Sequence, residues 1–277
     1  YIFQYLSISL LILPIIALIY FIFPRYEINI KIFDNKVNTL GIPNFLELGT
    51  FTDISSNKQK VFQYKNDQNK DKNNPLYFRV KIFDLINVNK FWITTPLQNI
   101  YMQYDNTYKL KKNNKTSINN GEIIIFPNDK TWLPVLKSFD YDSSLITNNY
   151  LNGTAKLKQK IDQKKRYPIR SNRFSINYDK EFLKFYQKLP PSIFSQKLIN
   201  WTDNLRENSK SDLDYLTNIM KHFANGEYYY TLNPIENKTN DYEKFFFETK
   251  RGYCEYYAGM FTILARLQNI PTRIVTG

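Results

Sequence analysis

The chain has 277 residues, of which 43% are hydrophobic and 17% aromatic, so it is long enough for a substantial core and for about two domains. Its net charge of +13 suits an anionic partner such as nucleic acid, anionic lipid or a wall polymer, but no nucleic-acid-binding motif accompanies that charge. One cysteine and one histidine exclude an internal disulfide framework and argue against a metal site built from several such ligands.

The first segment is a long run without a charged side chain, IFQYLSISLLILPIIALIYFIF at residues 2–23. About 20 apolar residues span the hydrocarbon core of a bilayer, so the run predicts a transmembrane helix over residues 1–24. Tyrosines at both ends suit the two membrane interfaces. A cleaved signal peptide is the rival interpretation, but the run lacks a basic n-region and a small-residue cleavage site.

The next part of the chain has a strand-like pattern. Short segments rich in β-branched and aromatic residues are separated by polar turn clusters. The clearest segments are residues 61–64, 77–83, 91–94, 100–104 and 122–126. They predict a mostly β module over residues 25–178, with Trp92 and Trp132 in its core or at its edge.

After residue 179 the hydrophobic period becomes helical. Two helices are predicted at 180–189 and 192–205, separated by a proline pair. Ser211 can cap a third helix, two aspartates suit its first turn, and Gly226 can end it. An aromatic segment at 228–232 is then predicted to be extended.

Cys254 is the single cysteine, and it stands at the predicted start of an apolar helix that continues through residue 268. Gly252 before it permits a tight turn. At a helix start, exposed backbone N–H groups and the positive end of the macrodipole favour the thiolate, which is the reactive form of cysteine. The alternative is a small buried residue, because free cysteine is often buried. Asn269 and Pro271 are expected to end the helix.

Three segments around this cysteine are similar to the core signature of the transglutaminase-like superfamily. They are residues 252–258 (GYCEYYA), 264–266 (LAR) and 270–277 (IPTRIVTG). Within that superfamily the chain resembles the bacterial membrane-anchored TgpA-type family, whose pattern is also similar at three upstream segments, residues 23–25, 75–79 and 89–92. The chain departs from the family's pattern at two positions, neither of which belongs to the family's catalytic triad. Phe78 stands where the family usually has tryptophan, and Tyr256 stands where histidine is common.

The resemblance implies an α+β chain in three parts. A transmembrane helix at 1–24 precedes the mostly β extracytoplasmic module at 25–178, and residues 179–277 form the N-terminal part of a transglutaminase-like (papain-like cysteine) α+β domain. In the superfamily, the cysteine at the position of Cys254 is the catalytic nucleophile and forms a thioester. Its backbone N–H, at the helix start, is expected to help hold the oxyanion.

The resemblance also implies a base and an orienting acid, His and Asp, on strands after the cysteine helix, whereas this chain ends at Gly277. The single histidine, His222, precedes the cysteine. We expect it near a helix end in a structural or surface role, where the helix C-terminus favours its protonated form. The chain is therefore predicted to be an inactive fragment of a longer protein. Arg266 and Arg273 either neutralise a substrate carboxylate or pair with a nearby acid.

The location implied by the resemblance is the bacterial inner membrane, with the soluble part periplasmic or otherwise extracytoplasmic. Arg25, Lys31 and Lys36 locally favour a cytoplasmic side, but long domains translocate largely regardless of charge. The expected function is acyl transfer or hydrolysis on protein or peptide amides, without cofactor, metal or nucleic acid. The alternative is a non-catalytic, membrane-tethered module with a degenerate transglutaminase-like domain that binds peptide or wall polymer. The acyl acceptor and the oligomeric state stay open.

Overall fold

The computed structural model describes residues 45–49, 60–66, 76–95, 108–112, 120–127, 130–136, 139–141, 146–149, 153–171, 174–178, 180–232 and 241–277. The predicted transmembrane run and the predicted strand at 100–104 lie outside these ranges. None of the helices within them is both long and apolar enough to cross a bilayer.

Short strands make up the described residues before 180. They are β1 (Phe45–Leu46), β2 (Phe62–Asn66), β3 (Phe78–Arg79), β4 (Lys81–Phe83), β5 (Leu85–Ile86), β6 (Trp92–Ile93), β7 (Tyr108–Lys112), β8 (Asn120–Ile125), β9 (Trp132–Leu133), β10 (Val135–Leu136), β11 (Phe139–Tyr141), β12 (Ile146–Asn149), β13 (Thr154–Leu157), β14 (Lys165–Ser171) and β15 (Phe174–Tyr178). The β-rich pattern of this region is therefore present in the described residues, and the predicted strands at 61–64, 77–83, 91–94 and 122–126 each contain strand structure.

Antiparallel pairing joins these strands into small sheets. The largest among the described residues has the order β11-β14-β8-β2, and β12-β13-β9 forms a second sheet. In the first sheet, Tyr167 of β14 lies opposite Ile123 of β8. Buried side chains of both sheets form one apolar core together with residues of β10 and Ile161, namely Ile123, Ile125, Leu133, Val135, Leu136, Ile146, Ala155, Leu157, Ile161, Tyr167 and Ile169.

Helices dominate the described residues from 180 onward. They are α1 (Lys180–Phe185), α2 (Gln196–Glu207), α3 (Asp212–Asn225), α4 (Tyr242–Lys244), which continues as a π-helical turn at Phe245–Thr249, and α5 (Cys254–Leu267). Short strands accompany them: β16 (Tyr229–Tyr230), β17 (Arg251–Gly252) and β18 (Ile274–Thr276).

Local capping chemistry sets the helix boundaries. The Asp214 N–H donates to the Ser211 hydroxyl at 3.2 Å, and α3 ends at Gly226, whose N–H donates to the His222 carbonyl at 2.9 Å. Both ends of α3 therefore confirm the prediction. Helix α2 begins later than predicted, because Ser192 has a φ of +58°, which a right-handed helix cannot include, and Ser195 caps it instead.

The cysteine helix α5 is buried on most of its surface. Met260, Ile263 and Leu264 are fully inaccessible, as expected for a helix that is apolar on nearly all faces. Its end is a Schellman motif: Asn269 has a φ of +57°, and the Ile270 N–H donates to the Ala265 carbonyl at 3.0 Å. The prediction that Asn269 ends this helix is confirmed.

The helical core also includes side chains from the strand-rich region. Leu46, Phe83 and Trp92 lie in the same buried cluster as the apolar side chains of α5. Strand β18, which follows α5, pairs antiparallel with β4, so that Ile274 lies opposite Phe83. The cysteine helix is therefore held from both sides, by the other helices and by strands β1 and β4–β6.

Arg266 is a charged residue of α5 that is buried within this packing. Its guanidinium is buried and donates to the carbonyls of Lys188 (2.9 Å), Asp84 (2.7 Å) and Thr272 (2.6 Å). It also lies 5.0 Å from the Trp92 ring centroid. Burial lowers the pKa of Arg266 to about 10, although the Asp84 carboxylate favours its charged form. Of the two roles predicted for Arg266, contact with a substrate carboxylate does not fit this buried position.

We predict that Arg266→Met destabilises the fold by about 3 kcal/mol, because buried carbonyls lose their charged donor. The matched control is Arg166→Met, since the Arg166 side chain is 61% exposed and lies 3.7 Å from Glu122. The control should cost at most about 1 kcal/mol. Urea unfolding of both variants measures the difference, and equal losses would contradict the prediction.

Candidate active site

Cys254 is the first residue of α5, and two residues just before it, Lys250 and Gly252, shape the entry to the helix. Tyr253 is extended and provides no side-chain cap. The tight turn expected at Gly252 lies instead at Lys250, which has a φ of +51°. Gly252 is required for another reason, because a Cβ there would come within 2.5 Å of the Tyr256 ring. This close approach lets β17 lie directly against the first turn of the helix.

The thiol of Cys254 is exposed to solvent, in contrast to the buried alternative. Although the side chain reaches solvent, the protein atoms around the sulfur raise its pKa above the ordinary value, and the Glu255 carboxylate raises it further. The Glu255 N–H and the Tyr230 hydroxyl act in the opposite direction by hydrogen bonding. The net shift is opposite to the thiolate expected from the helix start. At neutral pH the thiol needs a base to become a strong nucleophile.

Glu255 is a site residue that sequence reasoning missed. Its side chain is buried, and its carboxylate accepts a hydrogen bond from the Gly49 N–H. Gly49 has a φ of +103°, a conformation that glycine adopts without steric cost. This bond connects the segment after β1 to the start of the cysteine helix. A charged residue inside an apolar helix was the available signal, but its partner lies 206 residues away.

The second element at the thiol is the aromatic segment predicted to be extended at 228–232. Its strand β16 pairs parallel with β17, with Tyr230 opposite Gly252. Two backbone bonds hold it: the Tyr229 N–H donates to the Lys250 carbonyl at 2.8 Å, and the Thr231 N–H to the Gly252 carbonyl at 2.9 Å. In this register Tyr230 lies opposite the residue two positions before Cys254, and its hydroxyl lowers the pKa of the Cys254 thiol by hydrogen bonding. Sequence reasoning placed the strand but missed Tyr230 as a site residue.

His222 lies in an aromatic cluster and has other partners than the thiol. Its Nε2 atom lies 3.2 Å from the Tyr228 hydroxyl oxygen, and its ring centroid lies 4.9 Å from that of Trp201 and 5.2 Å from that of Phe246. These contacts fit the predicted structural role. The helix C-terminus does not dominate its titration, because burial, and then the charge of Lys250, lowers the pKa of His222.

Arg273 is the other arginine singled out by the sequence. Its guanidinium carbon lies 5.4 Å from the Tyr186 ring centroid, and its Nη1 atom lies 3.4 Å from the hydroxyl oxygen of that tyrosine. The structure thus brings Glu255 and Tyr230 to the thiol, and places the side chains of Arg266 and Arg273 against other groups.

We predict that Glu255→Gln speeds alkylation of Cys254 by iodoacetamide at neutral pH by roughly threefold to tenfold, because removal of the adjacent negative charge lowers the thiol pKa. Glutamine retains an oxygen that can accept the Gly49 N–H. Glu227→Gln is the control, since this exposed carboxylate pairs with Lys250 at 3.4 Å. Slower alkylation in the Glu255 variant than in the control would contradict the assigned effect of the charge.

The lowered pKa of His222 leads to a prediction about how the stability of the fold depends on pH. In the folded chain the pKa of His222 lies below 6.5, so folding favours the neutral form of this side chain. Its contribution to the stability of the fold is therefore complete above pH 6.5. As the pH falls through that value, the unfolded chain binds a proton first and stability is lost. His222→Phe should remove this component.

Urea unfolding at about pH 7.5 and about pH 5.5 checks this prediction, because the two values lie on either side of an ordinary histidine pKa. Carboxylates titrate equally in both chains, so the difference in pH dependence isolates the histidine, which is the only one in the sequence. The same pH dependence with and without His222 would contradict it.

Residues 2–173 match the family described as "TgpA N-terminal domain", and residues 199–277 match the family described as "Transglutaminase-like superfamily". The Bacillus subtilis (strain 168) protein called "Uncharacterized protein YebA" is 30% identical over 122 residues, which are 43% of this chain and 16% of that protein. A "Protein-glutamine gamma-glutamyltransferase" of Pseudomonas aeruginosa is 29% identical over 75 residues, 27% of this chain and 11% of that protein. The chain thus matches less than a fifth of the length of either relative.

Solved structures share the fold. The periplasmic domain of TgpA from Pseudomonas aeruginosa superposes with a TM-score of 0.71 at 17% identity, covering 86% of this chain and 80% of that one. The same domain bound to ethylmercury gives a TM-score of 0.71 at 18% identity, with 86% and 82% covered. This likeness confirms the predicted mixed α+β, transglutaminase-like fold. Because the TgpA N-terminal domain family alone covers more than half of the sequence, the chain belongs to the bacterial TgpA-type family of transglutaminase-like proteins.

Proposed function

We propose that the protein is a membrane-anchored cysteine acyltransferase or hydrolase that forms a thioester at Cys254 with the amide of a protein or peptide. The observation that carries the proposal is an exposed thiol at the first residue of an otherwise buried helix. A nucleophile must be rigidly held and still reach its substrate, and this position meets both conditions. The family, and the name of the Pseudomonas aeruginosa glutamyltransferase, support acyl transfer.

The chemistry begins when the Cys254 thiolate attacks the amide carbonyl carbon. A carbon–sulfur bond forms, and the carbonyl electrons move to oxygen. When the oxyanion collapses, the carbon–nitrogen bond breaks, and the nitrogen leaves as ammonia or an amine after it accepts a proton. An acceptor amine or water then attacks the thioester, which yields a new amide or a free acid and restores the thiol. Both outcomes use the same acyl-enzyme, so the site chemistry does not choose between them.

The start of α5 provides a donor for the oxyanion. The first N–H groups of a helix have no acceptor within the helix, and they point towards its N-terminal end. The Cys254 N–H is the first of these, so it lies next to the carbon that its own sulfur attacks. Donors aimed at the developing charge lower the barrier to acyl transfer.

Activation of the thiol needs a base. Burial and the Glu255 charge hold the Cys254 pKa above its ordinary value, so few thiolates form without one. The single histidine of the sequence has its Nε2 atom 3.2 Å from the Tyr228 hydroxyl oxygen. We therefore propose that a histidine and an aspartate further along the complete gene product supply the base and its orienting acid. The 277 residues alone are expected to show no turnover.

The proposed location is the cell envelope. The uncharged run at residues 2–23 supports an anchor in the inner membrane. The similar solved domain is described as periplasmic in Pseudomonas aeruginosa, which supports an extracytoplasmic position for residues 25–277. A protein or peptide of the envelope is then the proposed substrate.

A second candidate function is a non-catalytic, membrane-tethered module that binds peptide or wall polymer. The raised pKa of the Cys254 thiol favours it, because an unactivated thiol is a poor nucleophile at neutral pH. The two candidates differ in one requirement: only the enzyme needs the sulfur atom.

We predict that Cys254→Ala lowers acyl transfer by the complete gene product by roughly 10³-fold or more, because loss of a nucleophile leaves only binding and oxyanion stabilisation. The exposed position should keep the change in stability within about 0.5 kcal/mol. Lys221→Ala, on the exposed surface of α3, is the control and should retain activity. Release of ammonia from a glutamine peptide in the presence of an amine measures the rate. Equal activity of the Cys254 variant and the control would refute the proposal.

A further inference from the structure

Tyr230 keeps an exposed ring in a fixed position. The side chain is 65% exposed, so it gains little from the burial that normally stabilises an aromatic residue. Nevertheless the ring is stacked on Tyr257, with centroids 6.4 Å apart and an interplanar angle of 21°. The backbone on both sides is fixed by the bonds between β16 and β17. A tyrosine that is held rigidly but left in solvent is not explained by packing.

The aromatic rings packed against Tyr230 and against one another explain how the Tyr230 ring is held in place. Tyr257 belongs to the second turn of α5, and its ring packs edge-on against Phe223 at 5.5 Å and Phe245 at 5.2 Å. These rings connect α3, the π-helical turn and α5. These rings therefore belong to the core that fixes the cysteine helix, so the same packed side chains hold both Tyr230 and Cys254.

We propose that Tyr230 is a positioning residue for the nucleophile: its hydroxyl donates a hydrogen bond to the Cys254 sulfur, orients the thiol and stabilises the thiolate. Tyr230 lies opposite Gly252, two residues before Cys254, and its ring is stacked on Tyr257, three residues after Cys254 on the same helix. A hydrogen bond to the charged form of an acid favours that form. This role is independent of the downstream base, which the proposed function requires.

The charged and titratable groups around the thiol act on the pKa of Cys254 in opposite directions. On α5, the Glu255 carboxylate opposes the thiolate. On β16, the Tyr230 hydroxyl favours it, and this ring is in turn stacked on Tyr257. On β17, the guanidinium carbon of Arg251 lies 5.7 Å from the ring centroid of Tyr229. The Tyr230 hydroxyl therefore counteracts part of the rise in the Cys254 pKa that the Glu255 carboxylate causes.

The test is the pH profile of Cys254 alkylation by iodoacetamide in the 277-residue chain, from about pH 6 to about pH 10, where thiols titrate. The chain has one cysteine, so the rate reports this thiol alone. Tyr230→Phe keeps the ring and removes the hydroxyl. We expect its profile to move to higher pH, with a rate at neutral pH lower by roughly threefold to tenfold.

Tyr229→Phe is the matched control. Tyr229 is the adjacent residue of the same strand and is 59% exposed, but its ring lies against Arg251. The control profile should coincide with that of the unchanged chain. A Tyr230→Phe profile that coincides with the control, or that moves to lower pH, would overturn the proposal.

A second measurement covers the outcome in which Tyr230→Phe fails to fold. With 3-fluorotyrosine at position 230, the fluorine resonance should show the ionisation of its own phenol and a separate transition that follows the Cys254 thiol, and Cys254→Ser should remove only the second transition. A resonance insensitive to the thiol would overturn the proposal. Neither measurement involves acyl transfer, so an inactive gene product would refute the proposed function while leaving this result unaffected.

Discussion

The position of the cysteine helix depends on the buried guanidinium of Arg266. Its donors are shared among the carbonyls of Asp84, Lys188 and Thr272, which belong to three separate segments of the chain. A buried carbonyl that loses its donor is costly, so these segments cannot shift independently without breaking a charged hydrogen bond. The strands before residue 95 thereby become part of the support for the thiol. Arg266 and Cys254 lie near opposite ends of the same helix, so the contacts of Arg266 fix the element that carries the thiol.

At the cysteine end, structural and chemical requirements oppose each other. Glu255 connects the helix to Gly49 by a hydrogen bond, but its negative charge beside Cys254 disfavours the thiolate. The same carboxylate thus strengthens the fold and weakens the nucleophile. Tyr230 offsets part of that effect in our account, and a base supplies the rest. A thiol with a raised pKa stays unreactive until its base is present, which protects an exposed cysteine from side reactions.

Local features of the fold were predictable from the sequence, whereas the surroundings of the thiol were not. Ser211 caps the start of α3, and Gly226 and Asn269 end their helices as predicted, because capping depends on residues within one or two turns. The thiolate expected at the helix start was wrong, because the helix dipole is only one of several influences on Cys254. Contacts such as that between Glu255 and Gly49 depend on long-range pairing, which no local pattern encodes.

The central claim is that the Cys254 sulfur itself becomes acylated. The most direct measurement is intact and peptide mass spectrometry after the complete gene product is mixed with a glutamine peptide, without an amine acceptor, and quenched in acid. The account predicts a thioester adduct on the peptide that contains Cys254, with loss of ammonia from the glutamine. An active protein that carries no acyl group at this cysteine, or carries it on another residue, would contradict the account.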